Sequence, residues 1–331
     1  MDRALHGRKG ISEATRNRIL QIAKDHGYRP NAAARALKVG SEQLRIGVCI
    51  PQSVNGYFDQ LKQGIEAEAE ELSDFGVTLF FSTRETLETD PTSQIVSVLG
   101  QGAQILILCP SDSKTMLPII KQTEERGIPV ICVSSDVPDS QRSTVVWVDP
   151  VVSGRMAGEL MAKLLHVKKD VAIVTGSLDI ESHHRKVEAF REEFERRQTE
   201  NRVIEVIEGH DNVAITFQKV WKYLEQSTSL GGIYVSTGNF LPVCNAVSAA
   251  NLNGEVTLIT TDLYPEMIPY FEQQIITASL YQGPSRLGSE ALKLAVDHLI
   301  NRTPLQPYYS SSPQIVLSAN LKLFREVAPN L

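Results

Sequence analysis

The 331-residue sequence contains no apolar run approaching the ~20 residues that a helix needs to cross a bilayer. Charges interrupt its first residues every few positions, which leaves no apolar core for a secretory signal peptide. The expectation is a cytoplasmic protein with no membrane partner. Cysteine is scarce: Cys49, Cys109, Cys132 and Cys244 show no close pair and no metal-ligand spacing. Three of them lie in or just after apolar runs, so they read as small buried hydrophobes in a reducing compartment. Gly-x-Ser-x-Gly, Gly-x-x-x-x-Gly-Lys-Ser/Thr and His-Glu-x-x-His are all missing. With no nucleophile–base pair and no phosphate loop, nothing points to an enzyme, and no cofactor is expected. His183 and His184 are adjacent on one predicted helix and point in different directions, so they do not read as a metal site.

What is present is an uneven distribution of charge. Residues 1–45 hold ten Lys/Arg and four Asp/Glu, although the whole chain carries a net charge of −6. A small basic head on an acidic body suggests a module for a polyanion, with DNA the natural candidate. The overall composition, 42% hydrophobic and 22% charged, argues against general disorder. The length accommodates two or three compact units.

Within the head, Ser12 is placed to cap a helix whose apolar stripe is Ile19, Leu20, Ile22 and Ala23. His26-Gly27-Tyr28 ends it. Pro30 stops further helix, and Asn31 can cap a short second one through Leu37. From Arg45 onward, short apolar strands alternate with amphipathic helices. Strands are predicted at 46–50, 77–81, 105–108, 130–133 and 145–148, and again at 171–175, 203–208, 232–235 and 257–261. The intervening helices include 58–72, 114–126, 184–198, 214–226 and 241–250. Two successive runs of this kind predict an α/β protein with two doubly wound lobes, each a parallel sheet covered on both faces. Ligands of such folds sit beyond the carboxyl ends of the strands. That position is polar or aromatic after almost every strand here, although Asp, Asn and Ser in such loops also cap helices.

The chain resembles the LacI family of bacterial transcriptional regulators. The head carries Arg3-Ala-Leu-His-Gly, Gly10-Ile-Ser-Glu-Ala-Thr-Arg and Gly27-Tyr-Arg-Pro-Asn-Ala-Ala-Ala-Arg-Ala-Leu, and the body is similar to the sugar-binding core that family shares with ribose-type binding proteins. Asn55-Gly-Tyr57-Phe58 looks like the family's Asn-Pro-Phe-Phe segment, and Asp149-Pro-Val-Val-Ser-Gly-Arg-Met-Ala-Gly158 like its lobe crossover. The resemblance implies a partial helix-turn-helix head at 1–40 with a hinge helix at 31–37. It implies an N-terminal lobe from 45–150 plus 283–310, and a C-terminal lobe from 151–282 plus 311–331. A sugar-like effector would meet Asn55, Tyr57, Phe58, Ser134, Ser135, Asp136, His184, Thr237, Asp262 and Gln282. Ser134-Ser135 stands where relatives often carry Asp-Arg, His184 where they carry arginine, and Thr237 where they carry asparagine, so charge-assisted donors are fewer.

By the same resemblance, operator DNA would be contacted by Arg3, His6, Tyr28, Asn31, Ala34, Arg35, Leu37 and Lys38 of a homodimer. Leu37 matches the leucine that wedges into the minor groove. Met1 aligns inside the recognition helix, in place of a valine, and we expect the natural start to lie upstream, because valine's GTG codon also starts translation. The expected function is a ligand-responsive repressor; the alternative is a cytosolic solute-binding sensor that does not bind DNA.

Overall fold

The computed structural model describes residues 12–25, 43–52, 56–165, 169–197 and 200–324. The chain divides into a small N-terminal unit and a large body that begins at Leu44. In the small unit the described element is helix α1 (Glu13–Asp25). Ser12 caps it as expected: its Oγ accepts a hydrogen bond from the Thr15 backbone N–H at 3.2 Å. All eight expected DNA contacts (Arg3, His6, Tyr28, Asn31, Ala34, Arg35, Leu37 and Lys38) lie outside the described residues, as does Asn55.

The body starts with β1 (Leu44–Pro51), α2 (Tyr57–Glu71), β2 (Val77–Arg84), α3 (Thr92–Gly100), β3 (Ile105–Leu108), α4 (Ser113–Glu125), β4 (Val130–Val133) and β5 (Thr144–Val148). There follow α5 (Pro150–Leu164), β6 (Asp170–Thr175), α6 (Glu181–Arg197), β7 (Val203–Glu208), α7 (Val213–Gln226), β8 (Leu230–Val235), α8 (Leu241–Ala249), β9 (Thr257–Thr261), α9 (Ile268–Glu272) and β10 (Ala278–Tyr281). The chain closes with α10 (Pro284–Asn301), β11 (Tyr308–Ser311) and β12 (Gln314–Val316).

Two six-stranded sheets result, ordered β11-β5-β4-β3-β1-β2 and β12-β10-β9-β8-β6-β7. Every pairing is parallel except β10 with β12. The predicted two-lobe α/β architecture is therefore the one observed. Central strands such as β3, β4 and β8 are buried along their whole length, as sheets covered on both faces require. The expected strands missed the last three. β10 reads Ala-Ser-Leu-Tyr, β11 reads Tyr-Tyr-Ser-Ser on an edge and β12 is three residues long, so none makes an apolar run.

Three short segments cross between the sheets: Asp149, Gln282–Gly283 and Ser312–Pro313. The first is tied to the end of β11, where the third begins, by Asp149 N–H donating to Ser311 O at 2.9 Å. Asp149 also caps α5 by accepting from Val151 N at 2.8 Å and Val152 N at 3.1 Å, which fixes the chain's direction as it enters the second lobe.

Each lobe seats one helix that faces the other lobe, and each uses a glycine to do so. A Cβ on Gly64 of α2 would stand 1.9 Å from Ser285 O of α10. On Gly154 of α5 it would stand 2.3 Å from Lys186 O of α6. Only a residue without a side chain allows these backbones to approach so closely. The apolar core of the second lobe then locks α6 in place, with Phe190 stacked on Tyr234 at 4.9 Å and on Phe194 at 5.7 Å.

A candidate ligand-binding cleft

The carboxyl ends of the two parallel sheets face one another, and the residues that follow the strands meet between them, where folds of this kind bind ligands. The N-terminal wall is Tyr57 and Phe58 at the start of α2, Leu87 after β2, Cys109 after β3, and Ser134 and Ser135 after β4. The C-terminal wall is Ser182, His183 and Lys186 on α6, Asp211 after β7, Thr237 and Gly238 after β8, Asp262 after β9 and Gln282 after β10.

Asp262 anchors the C-terminal wall. It is 1% exposed, and its Oδ1 and Oδ2 accept from Gln282 N at 3.2 Å and Gln282 Nε2 at 2.9 Å. Burial pushes its carboxyl up to about 6, against the opposing pull of the Lys186 cation and the Gln282 hydrogen bonds. Lys186 is itself buried and donates to Ser236 O at 3.2 Å. Burial lowers its pKa, while Asp262 and Asp211 favour its charge. Asp211 accepts from Thr237 Oγ1 at 3.0 Å. Burial holds His183 down at about 4, so its ring is neutral near pH 7, and its Nδ1 faces the Ser177 backbone N–H at 3.3 Å. Asp262 and Asp211 take positive φ values of 68° and 47°, and Ser134 across the cleft takes 69°. Non-glycine residues carry such strain mainly where surrounding structure enforces it, and functional sites are the usual place.

The opposite wall is mostly apolar. Tyr57 is buried, donates its hydroxyl hydrogen to Ser134 Oγ at 2.9 Å, and meets Phe58 edge to face at 5.1 Å. It belongs to the same apolar cluster as Phe240, Leu263 and Tyr264 of the other lobe, so it bridges the cleft. Three polar contacts also join the lobes: Gln60 Nε2 to Leu263 O at 3.1 Å, Ser182 N to Ser135 Oγ at 3.3 Å, and Glu88 with His210 at 3.1 Å. The cleft is closed down to a cavity of about 50 Å³, well below the roughly 300–1,000 Å³ of ordinary ligand pockets. At that volume a sugar-sized ligand fits only if the lobes part.

Against known proteins, the family described as "Periplasmic binding protein domain" matches residues 46–303. The chain belongs to that family. Among curated relatives, the D-ribose/D-allose-binding protein of Pseudomonas aeruginosa is 22% identical over 80% of this chain and 84% of its own. Catabolite control protein A of Priestia megaterium is also 22% identical, over 92% of this chain and 89% of its own. Among solved structures, a Caulobacter myo-inositol binding protein superposes with a TM-score of 0.80 at 20% identity, covering 87% of this chain and 98% of that one. At that identity the structural likeness establishes the fold.

Within this binding-protein fold, Tyr57, Phe58, Ser134, Ser135, Thr237, Asp262 and Gln282 come together at the cleft, and two other expected residues do not. His184 is a correction: it points outward from α6 and its Nε2 pairs with Glu188 at 3.2 Å. Asp136 is the other. Although buried, it is held by Arg142, whose Nη2 donates to Asp136 Oδ2 at 2.6 Å, and it accepts from Val137 N at 2.8 Å, so it braces its own loop. His183, Lys186 and Asp211 take the places that sequence reasoning left unassigned. The signal was available on α6. Its buried stripe of Val187, Phe190 and Phe194 extends back by helical spacing to Lys186 and His183, whereas His184 lies a third of a turn away. Asp112 and Asn212 cap α4 and α7 through Thr115 N and Ile215 N, and neither lines the cleft. Among the described residues no cluster of His, Cys, Asp or Glu is placed to hold a metal ion, and no helix is long and apolar enough to cross a membrane.

Proposed function

We propose that this chain is a ligand-responsive transcriptional regulator that binds a small polyhydroxylated metabolite, sugar-like in chemistry, between its lobes. The observation that carries the ligand reading is the Asp262–Gln282–Lys186 group. A dry carboxylate fixed by an amide and flanked by a cation is suited to accepting hydroxyl hydrogens, and Tyr57 and Phe58 supply ring faces for the apolar side of such a ligand. The names of the relatives, a ribose/allose-binding protein and a myo-inositol binding protein, support the same chemistry.

The DNA reading rests on the basic head and on its resemblance to LacI-type heads. It is also supported by the extent of similarity to catabolite control protein A. Residues 46–331 are 286 of the 331, a smaller share than the 92% matched, so that similarity takes in part of the head. In this reading the protein works as a homodimer. Effector binding changes how the lobes close and shifts the population of dimers whose paired hinge segments fit the operator. A coupling of about 1–3 kcal/mol between the two sites is the usual size for such systems. The second reading, a solute-binding sensor without DNA binding, is favoured by the ribose/allose-binding relative at equal identity.

The test combines two measurements on the full chain. Titration calorimetry with pentoses, hexoses and inositols should give saturable binding, and fluorescence anisotropy on DNA upstream of its own gene should show an affinity that the bound compound changes. Saturable ligand binding with no preference for that DNA over random sequence, across a salt series, would move the sensor reading ahead. No binding by any polyol would remove the cleft from the account.

A further inference from the structure

Arg84, the last residue of β2, is 3% exposed and therefore fully inside the N-terminal lobe. Its Nη2 donates to Cys109 O at 2.8 Å and to Leu87 O at 3.4 Å. Cys109 and Leu87 both line the cleft, so the guanidinium lies directly behind that wall. Its Nε and Nη1 have no hydrogen-bond partner, and among the described residues no carboxylate forms an ion pair with it. Two residues beyond Cys109 on the same loop, Ser111 is 2% exposed and its Oγ is also buried without a partner. A buried guanidinium with unused donors is costly to the folded state, because an arginine cannot shed its charge to escape desolvation.

The two walls differ in charge as well as in polarity. Lys186 on the C-terminal wall faces both Asp262 and Asp211, which leaves that wall with an excess of acceptors. On the other side no carboxylate pairs directly with Arg84; exposed Asp90 favours its charge only from beyond ion-pair distance, and its Nε and Nη1 donors stay unused. Resting on the cleft reading given above, we propose that Arg84 and the Cys109–Ser111 loop form an anion subsite, and that the ligand is a polyol carrying a phosphate ester or a carboxylate. Its hydroxyls face Asp262 and Asp211, and its anionic group faces the Arg84 donors. Guanidinium forks suit both oxyanions, and charge-assisted bonds in a dry site are the strong ones.

The experiment is calorimetry on the full chain with two matched series. These are ribose, ribose 5-phosphate and ribonate, and glucose, glucose 6-phosphate and gluconate, with inorganic phosphate alone as a seventh probe. In at least one series an anionic member should bind about tenfold or more tighter than its neutral parent. The phosphate and carboxylate arms identify which oxyanion is preferred. Arg84→Met should erase that preference while leaving affinity for the neutral parent within about twofold, and Arg84→Lys should retain part of it.

The melting temperature of the ligand-free protein is the second readout. Relief of a buried charge that has no ion pair offsets the loss of its bonds to Cys109 O and Leu87 O, so Arg84→Met should melt close to the wild type. A variant that melts lower and loses neutral and anionic ligands alike would make Arg84 a brace between two loops and overturn the proposal. Neutral parents binding as well as their anionic partners in both series would also overturn it, with the cleft reading intact. Failure of all seven compounds to bind would instead sink the cleft reading, and this one with it.

Discussion

On the C-terminal wall of the cleft, Asp262, Lys186, Asp211 and His183 each hold a partner from their own lobe, whereas the N-terminal wall sets Tyr57, Phe58, Leu87 and Cys109 around two serines. The first wall is preorganised. Its polar groups keep their geometry whatever the lobes do, because every hydrogen bond among them is internal to one sheet and its helix. The second wall is tied to the other lobe, since Tyr57 shares an apolar cluster with Phe240 and Tyr264, and parting the lobes would disrupt that cluster. Fixed polarity on one side and movable aromatic area on the other divides the work. In the proposed function, one wall would orient a ligand and the other would convert its presence into a lobe angle.

The sharpest way to break this division is to remove its anchor. Asp262→Ala should weaken binding of the polyol ligand by about a hundredfold or more, since hydrogen bonds to a charged group contribute about 1.5–3 kcal/mol each. Titration calorimetry measures the loss, and an unchanged far-ultraviolet spectrum checks that the lobe still folds. Affinity within threefold of the wild type would mean that Asp262 serves the fold alone.

A second prediction uses the opposite titrations of two buried groups on the same wall. Asp262, at about 6, sits above the ordinary aspartate value of roughly 3.9. The native state keeps a proton there that the unfolded chain has released, so this contribution to stability falls as pH rises through about 4–6 and stays lower above it. His183, at about 4, sits below the ordinary histidine value of roughly 6.5. Here the unfolded chain takes up a proton that the native state refuses, so its contribution is lost as pH falls from about 6.5 to 4. Each effect is on the order of 2–3 kcal/mol for a shift of about two pH units. In the wild type they oppose each other over the shared window. His183→Gln should expose the fall in stability between pH 4 and 6, and Asp262→Asn should expose a rise between pH 4 and 6.5. Urea midpoints taken every half pH unit read both slopes, and two variants that run parallel to the wild type would refute the assignment.

The fold was legible because interior strands covered on both faces must be apolar along their length, and seven such runs, joined by the partly apolar edge strands Val77–Arg84 and Val203–Glu208, leave few alternatives. Edge strands such as Tyr308–Ser311 escape that rule, since one side of them meets solvent. For the site, loop position after a strand found Ser134, Thr237 and Asp262 but could not separate Asp262 from Asp136. The difference is Arg142, six residues on, which satisfies Asp136 inside the lobe. His184 was misplaced by a single position because the helix begins at Glu181, and one residue turns a side chain by about 100°. Arg84 carried no signal in the sequence, since what sets it apart is two buried donors without partners, and only packing reveals these.

The mildest test sharpens the comparison from the movable side. Tyr57→Phe keeps the ring, its area and its contact with Phe58, and deletes only the hydroxyl that donates to Ser134. That bond lies within the N-terminal lobe and joins two neutral groups, so its net contribution is about 0.5–1.5 kcal/mol. If the N-terminal wall acts through area, ligand affinity should change by about fivefold or less, far below the effect of Asp262→Ala. Freed from Tyr57, Ser134 Oγ can serve the ligand directly, which sets the direction toward slightly tighter binding. A loss comparable to that of Asp262→Ala would instead show that Tyr57 binds through its hydroxyl, and the two walls would then share the polar work.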